Sequence, residues 1–184
     1  MSTVLIPLAQ GCEELEAVTV IDLLRRAGIT VVTAGLDKAP VKASRGVQLI
    51  PDTTLDEAIK QSFDMIVLPG GLPGADHLNN DARIHKLLQE MYQQGKYTAA
   101  ICAAPKVLAD AGLLANKSAT SYPGVLDKMQ VPQMQFIESP VVKDGQIITS
   151  RGPGTAMDFA LELIETLVGR DIRTQVEMGL VRPS

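Results

Sequence analysis

The chain has 184 residues, 46% of them hydrophobic, enough for one compact domain with a sizeable core. A net charge of −4, with three tyrosines, three phenylalanines and no tryptophan, leaves neither a basic stripe nor a stacking platform, so nucleic acid is not an expected partner. The two cysteines lie far apart and outside any CxxC, which argues against a disulfide framework and a thiolate metal site and for a reducing compartment. The start, Met1-Ser2-Thr3-Val4-Leu5-Ile6-Pro7-Leu8, has no cationic stretch and too short an apolar run for a signal peptide. No segment reaches the length of a membrane span, so a cytoplasmic protein without membrane contact is expected.

Strand-like apolar runs alternate with helix-length amphipathic segments. Residues 3–9 read as a strand and 13–27 as a helix with apolar positions Leu15, Val18, Ile21 and Leu24, closed by Gly28. Residues 29–34 form the next strand. A small hairpin over 41–44 and 47–50, around Arg45-Gly46, leads to a short helix over 55–60. A buried strand at 65–68 precedes a helix over 81–94, ended by Gly95. Residues 98–101 form a strand beneath Cys102, and 106–111 a helix beyond it. A hairpin at 141–148 turns on Asp144-Gly145, and helices follow over 155–168 and 172–177. Strands alternating with helices predict a mostly parallel sheet covered on both faces, in one domain without repeats or linkers.

Ligands of such sheets sit beyond the carboxyl ends of the strands, which makes the residues there the candidates for chemistry. Foremost is Cys102, where an apolar strand ends and Ala103-Ala104-Pro105 opens a helix. Free N–H groups and the helix dipole favour a thiolate there, so a lowered pKa is expected. The geometry is that of a nucleophile elbow with Cys for Ser; the alternative is a buried cysteine serving as a small hydrophobe. Pro69-Gly70-Gly71 suits close backbone approach, and the N–H groups of Gly71 and Ala103 together make an oxyanion hole. Glu13 and Glu14 complement the helix dipole or make subunit contacts. Glu16 shares a helical side with Cys12 near the apolar positions, so it is expected to point inward over the sheet edge, where a carboxyl held against a thiolate would keep its proton to higher pH. Arg45 and Arg151 both sit at turns and read first as surface residues, although Arg151, before Gly152-Pro153-Gly154, also suits a carboxylate or phosphate. Of the two histidines, His85 has polar neighbours and His77 follows the glycine turn, so a Cys-His-Asp hydrolase lacks an obvious base and a metal lacks a ligand cluster. Cys12 reads as a small packed residue.

Five segments occur together: Gly11-Cys12-Glu13-Glu14-Leu15-Glu16-Ala17-Val18, Ala43-Ser44-Arg45-Gly46, Val67-Leu68-Pro69-Gly70-Gly71, Ala99-Ala100-Ile101-Cys102-Ala103-Ala104-Pro105 and Thr149-Ser150-Arg151-Gly152-Pro153-Gly154-Thr155. In content and order they resemble the ThiJ/PfpI superfamily, in its small single-domain branch of protein deglycases and bacterial stress proteins, over nearly the whole chain. The resemblance implies a flavodoxin-like three-layer sandwich, a homodimer and a reactive Cys102. It also implies a protonated Glu16, an oxyanion hole from Gly71 and Ala103, and Arg45, Arg151 and Gly70 at the substrate pocket. Two departures matter: Tyr122 stands where some members have histidine, and Ala103 follows the cysteine where protease-like members have histidine. Both argue against a peptidase. The expected function is cofactor-independent deglycase or glyoxalase III-type turnover of methylglyoxal-like dicarbonyls or early glycation adducts to a 2-hydroxy acid. The alternative is a redox-sensing stress chaperone whose Cys102 oxidises to sulfinate.

Overall fold

Aliphatic runs bounded by glycine, proline and turn residues supply the strands, and amphipathic stretches between them supply the helices. In the computed structural model, which describes residues 2–182, they assemble around a seven-stranded sheet. In chain order, β1 (Thr3–Leu8) leads to α1 (Glu14–Arg26) and β2 (Thr30–Gly35). The short strands β3 (Val41–Lys42), β4 (Gln48–Leu49) and β5 (Thr53–Thr54) precede α2 (Leu55–Ala58). Next come β6 (Met65–Leu68), α3 (Gly74–Asn79), α4 (Ala82–Gln93), β7 (Tyr97–Ile101) and α5 (Pro105–Asp110). A parallel pair, β8 (Ser118–Ala119) and β9 (Gln135–Phe136), stands apart from the main sheet. Last are β10 (Val141–Asp144), β11 (Ile147–Ser150), α6 (Ala156–Val168) and α7 (Arg170–Gly179).

The main sheet runs β10-β11-β7-β6-β1-β2-β5, and every neighbouring pair is parallel except the edge hairpin β10–β11. Side chains of one strand alternate between its two faces. Val4, Ile6 and Leu8 of β1 join Leu24 of α1 and Phe159 of α6 in one core layer. Leu5 points the other way, to Leu55 of α2, Leu78 of α3, Leu88 of α4 and Leu108 of α5. Because both faces are covered, the central strands carry unbroken apolar sequence rather than alternation. The expected flavodoxin-like layering is what the chain adopts.

Three features depart from the sequence reading. The face of α1 is rotated: Leu15 and Val18 are 50% and 45% exposed, while Glu16, Ala17, Val20, Leu23 and Leu24 are buried. The rotation follows from the cap. Glu13 accepts from the Leu15 N–H, and its own N–H donates to the Gly70 carbonyl at 2.9 Å, which turns Glu16 inward. Helix α3 was not expected, because its glycine-rich start reads as a turn. The two-residue strands β5, β8 and β9 are too short to leave a periodic signal.

Candidate active site

Strands β7, β6 and β1 lie side by side, so the loops leaving their carboxyl ends converge. They deliver Cys102, Gly70-Gly71 and, in the first turn of α1, Glu16. Cys102 sits at φ 64°, a left-handed conformation that costs a non-glycine residue of the order of 1–3 kcal/mol. The elbow is held from both sides: the Cys102 N–H donates to the Ser150 carbonyl at 3.0 Å, and its carbonyl accepts from the Tyr122 N–H at 2.9 Å.

Glycine is required at position 70 for lack of space. A Cβ there would stand 2.6 Å from the Cys102 Cβ, 2.7 Å from Glu16 Oε2 and 2.8 Å from the Ile101 carbonyl oxygen. The cysteine and the carboxyl thus close around the Gly70 backbone, whose N–H donates to Glu16 Oε2 at 2.9 Å. Glu16 Oε1 is equally buried and has no hydrogen-bond partner. An ionised carboxylate with one bare buried oxygen is costly, whereas a carboxylic acid can use that oxygen to carry its proton. Burial accordingly pushes Glu16 from its ordinary 4.5 up to about 7, against the opposing pull of Cys102 and the Gly70 amide.

The Cys102 thiol does not follow the expectation of a lowered pKa. Burial, then the charge of Glu16 and the hydrogen bond to it, push the thiol up to about 12, while the N–H groups of Gly71 and Ala103 act in the lowering direction. The sequence places Glu16 near the sulfur and predicts a raised carboxyl, but the reciprocal effect, a carboxylate raising the thiol, outweighs the helix N-terminus. Two of the three raising causes vanish once Glu16 holds a proton. A thiolate therefore belongs with a protonated Glu16, and the two groups titrate as a pair.

The sulfur faces a cleft of about 350 Å³ lined by Glu13, Ser44, Arg45, Gly71, Leu72, Cys102, Ala103, Tyr122, Val125 and Pro153. Arg45 reaches this lining from the β3–β4 turn, which Glu14 grips: its carboxylate accepts from the Arg45 N–H at 2.8 and 3.0 Å. Burial alone would raise the Glu14 pKa, but these amides and the Ser44 hydroxyl outweigh it and hold the carboxyl below its ordinary range. Glu14 is thus an anchor of the turn rather than only a complement to the helix dipole. Arg151 is half-buried just past β11, with its N–H directed at the Pro140 carbonyl. The loop after it is tied by Ser150 Oγ to Thr155 Oγ1 at 2.7 Å and brings Pro153 to the cleft.

His77 lines a separate opening of about 440 Å³ with Leu36, Asp37 and Asn80, and His85 pairs through Nε2 with the Asn79 carbonyl at 2.7 Å. Neither belongs to the Cys102 cleft. Cys12 is 1% exposed, and burial followed by the charge of Glu14 pushes its thiol up to about 12. Among the described residues, no three His, Cys, Asp or Glu side chains are grouped to hold a metal ion, and no helix is long and apolar enough to cross a membrane. Leu72 and Pro153 stand among the residues after strand ends but carry no role from the sequence, Tyr122 is noted there only as a departure, and Val125 is missed, because the short β8 before it leaves no signal.

Residues 2–166 match the model of the DJ-1/PfpI family. The chain belongs to that family. It is 45% identical over 178 residues to Protein dj-1beta of Drosophila melanogaster, covering 96% of this chain and 95% of that one. The crystal structure of Drosophila melanogaster DJ-1beta matches all of both chains with a TM-score of 0.95 at 44% identity. A Caenorhabditis elegans relative named glutathione-independent glyoxalase DJR-1.2 is 38% identical over 160 residues, 87% of this chain and 85% of its own.

Proposed function

We propose that this DJ-1/PfpI member is a cofactor-independent, cysteine-dependent enzyme of the deglycase or glyoxalase III type, acting on α-oxoaldehydes such as methylglyoxal or on early glycation adducts. The observation that carries the reading is the buried, unpartnered Glu16 Oε1 beside a thiol that two backbone N–H groups approach. The name of the nematode relative supports the same class. Sulfur of Cys102 adds to the aldehyde carbon, breaking its π bond, and the oxygen takes a proton to give a hemithioacetal. The N–H groups of Gly71 and Ala103 serve the developing oxyanion. Glu16 then removes the proton from that carbon and returns one to the neighbouring carbon, leaving a thioester of a 2-hydroxy acid. Water hydrolyses the thioester, releasing lactate from methylglyoxal and restoring the thiol. Arg45, in the cleft lining, supplies positive charge for the substrate's oxygens, with Arg151 as a further guanidinium proposed for the same role. Reduced protein incubated with methylglyoxal and no glutathione is expected to form lactate; none forming would sink the reading.

The same thiolate is oxidisable, and one observation favours a redox role beside the enzymatic one. Cys102 opens to the cleft, whereas Cys12 is buried, so access separates two thiols pushed up equally. Limited peroxide is expected to modify Cys102 first and to stop at sulfinate, whose oxygens meet the two N–H groups and the Glu16 acid. Peptide mapping that finds Cys12 modified first, or a Cys12–Cys102 disulfide, refutes this.

A reactive thiol of this kind suits the reducing cytosol, where we place the protein. We also propose a homodimer through the apolar strip left by the rotated α1, where Leu15, Val18, Val47 and Ile50 are 50%, 45%, 49% and 85% exposed. Sedimentation velocity should show a dimer that Val18→Glu converts to monomer. A monomeric wild type, or an unchanged variant, excludes this face.

A further inference from the structure

We infer that the open side of the Cys102 cleft is a subsite for an apolar substituent, so that α-oxoaldehydes bearing an aryl or longer alkyl group are preferred over methylglyoxal, with Leu72 and Tyr122 as the specificity-determining side chains. The inference rests on the proposed reaction for its substrate class, and on the cleft itself for its selectivity. The volume of about 350 Å³ falls within the roughly 300–1,000 Å³ of sites that enclose drug-sized ligands, and methylglyoxal fills only a fraction of it.

The lining is divided by chemistry. Glu13, Ser44 and Arg45 make one polar group, while Leu72, Ala103, Tyr122, Val125 and Pro153 contribute apolar surface. Leu72 is 61% and Tyr122 51% exposed, a pair of large side chains left in water beside the reactive sulfur. Each is tethered close to the nucleophile. Leu72 directly follows Gly71, whose N–H approaches the thiol, and the Tyr122 N–H donates to the Cys102 carbonyl at 2.9 Å. The Tyr122 ring lies on the Gly152 backbone, where an added Cβ would stand 3.2 Å from its Cδ2, so its placement is supported from below. When the sulfur bonds to an aldehyde carbon, the substituent on the neighbouring carbonyl lies in a cleft whose lining offers it both the polar group with Arg45 and these apolar side chains. A methyl group is too small to cover them; a phenyl group removes them from water.

The test has two arms. In the first, kcat/KM is measured for phenylglyoxal and methylglyoxal with wild type, Leu72→Ala, Tyr122→Ala and the double variant. Phenylglyoxal is expected to lead by about tenfold or more, within the roughly 10- to 200-fold that one apolar group is worth in a pocket, and the lead should shrink in each variant. In the second, the rate of Cys102 alkylation by 2-bromoacetophenone is compared with that by bromoacetone, each divided by its rate with glutathione. This needs no turnover. A wild-type ratio near one in the alkylation arm overturns the subsite, and so does a preference that survives in the double variant. Retained alkylation preference with no turnover of either oxoaldehyde leaves the subsite standing and overturns the proposed reaction instead.

Discussion

Replacing Cys102 with serine is expected to reduce dicarbonyl turnover by at least about 1,000-fold, the order lost when covalent catalysis is deprived of its nucleophile. Thiol labelling at this position should disappear with it. The two side chains are nearly isosteric, and the φ of 64° is as strained for serine as for cysteine, so neither the elbow nor the sheet beneath it should change. Circular dichroism and thermal unfolding should match the wild type. The loss is chemical: a hydroxyl held near Glu16 is not ionised at neutral pH, and the Gly71 and Ala103 amides have no thiolate to approach. Lactate production by Cys102→Ser at a wild-type rate would remove the cysteine from the mechanism.

Glu16→Gln is expected to lower turnover by roughly 100- to 10,000-fold, the usual worth of a positioned acid–base, while Cys102 remains open to alkylation. The amide can occupy the same buried space, but it cannot carry a proton between adjacent carbons. The pH dependence separates this from a general disturbance. In the wild type the first proton leaves the Glu16–Cys102 pair at about 7. The thiolate with protonated Glu16 has lost that one proton, so the alkylation rate should rise through about pH 7 and then level. In Glu16→Gln that step should vanish, and the thiol, freed of the neighbouring charge, should ionise well below the value of about 12 it has beside a carboxylate. Stability gives an independent reading. A carboxyl raised from 4.5 to about 7 by folding contributes stability that is full below about 4.5 and lost as pH rises through about 7. Wild type should therefore lose stability relative to Glu16→Gln over that interval in denaturant titrations. An alkylation profile without a step near pH 7 in the wild type would exclude the shared-proton pair.

Much of this protein is written locally. Apolar runs such as Met65–Leu68 must be strands buried on both faces, because no helix of that length could bury them as well. The Asp144-Gly145 turn, with Gly145 at φ 60°, specifies the edge hairpin, and the small residues after Cys102 specify an elbow. The sequence order of strands and helices then leads to the sheet, and the strand ends lead to Cys102, Gly70, Gly71 and Glu16. What lies on which side of α1 was settled only by the tertiary fold. The Glu13 N–H bond to Gly70 seats Glu16 inward, as its helical side suggests, but leaves Leu15 and Val18 outside, where hydrophobic periodicity has them buried. The electrostatics of the thiol were likewise illegible along the chain. A helix N-terminus is a local property, but the carboxyl that opposes it arrives from helix α1, far away in sequence, and its effect depends on separation and burial that no spacing encodes. The cleft wall has the same origin: Leu72 and Pro153 leave the ends of β6 and β11, which flank β7 in the sheet, while Tyr122 and Val125 follow β8 and are brought in by the Tyr122 N–H bond to the Cys102 carbonyl.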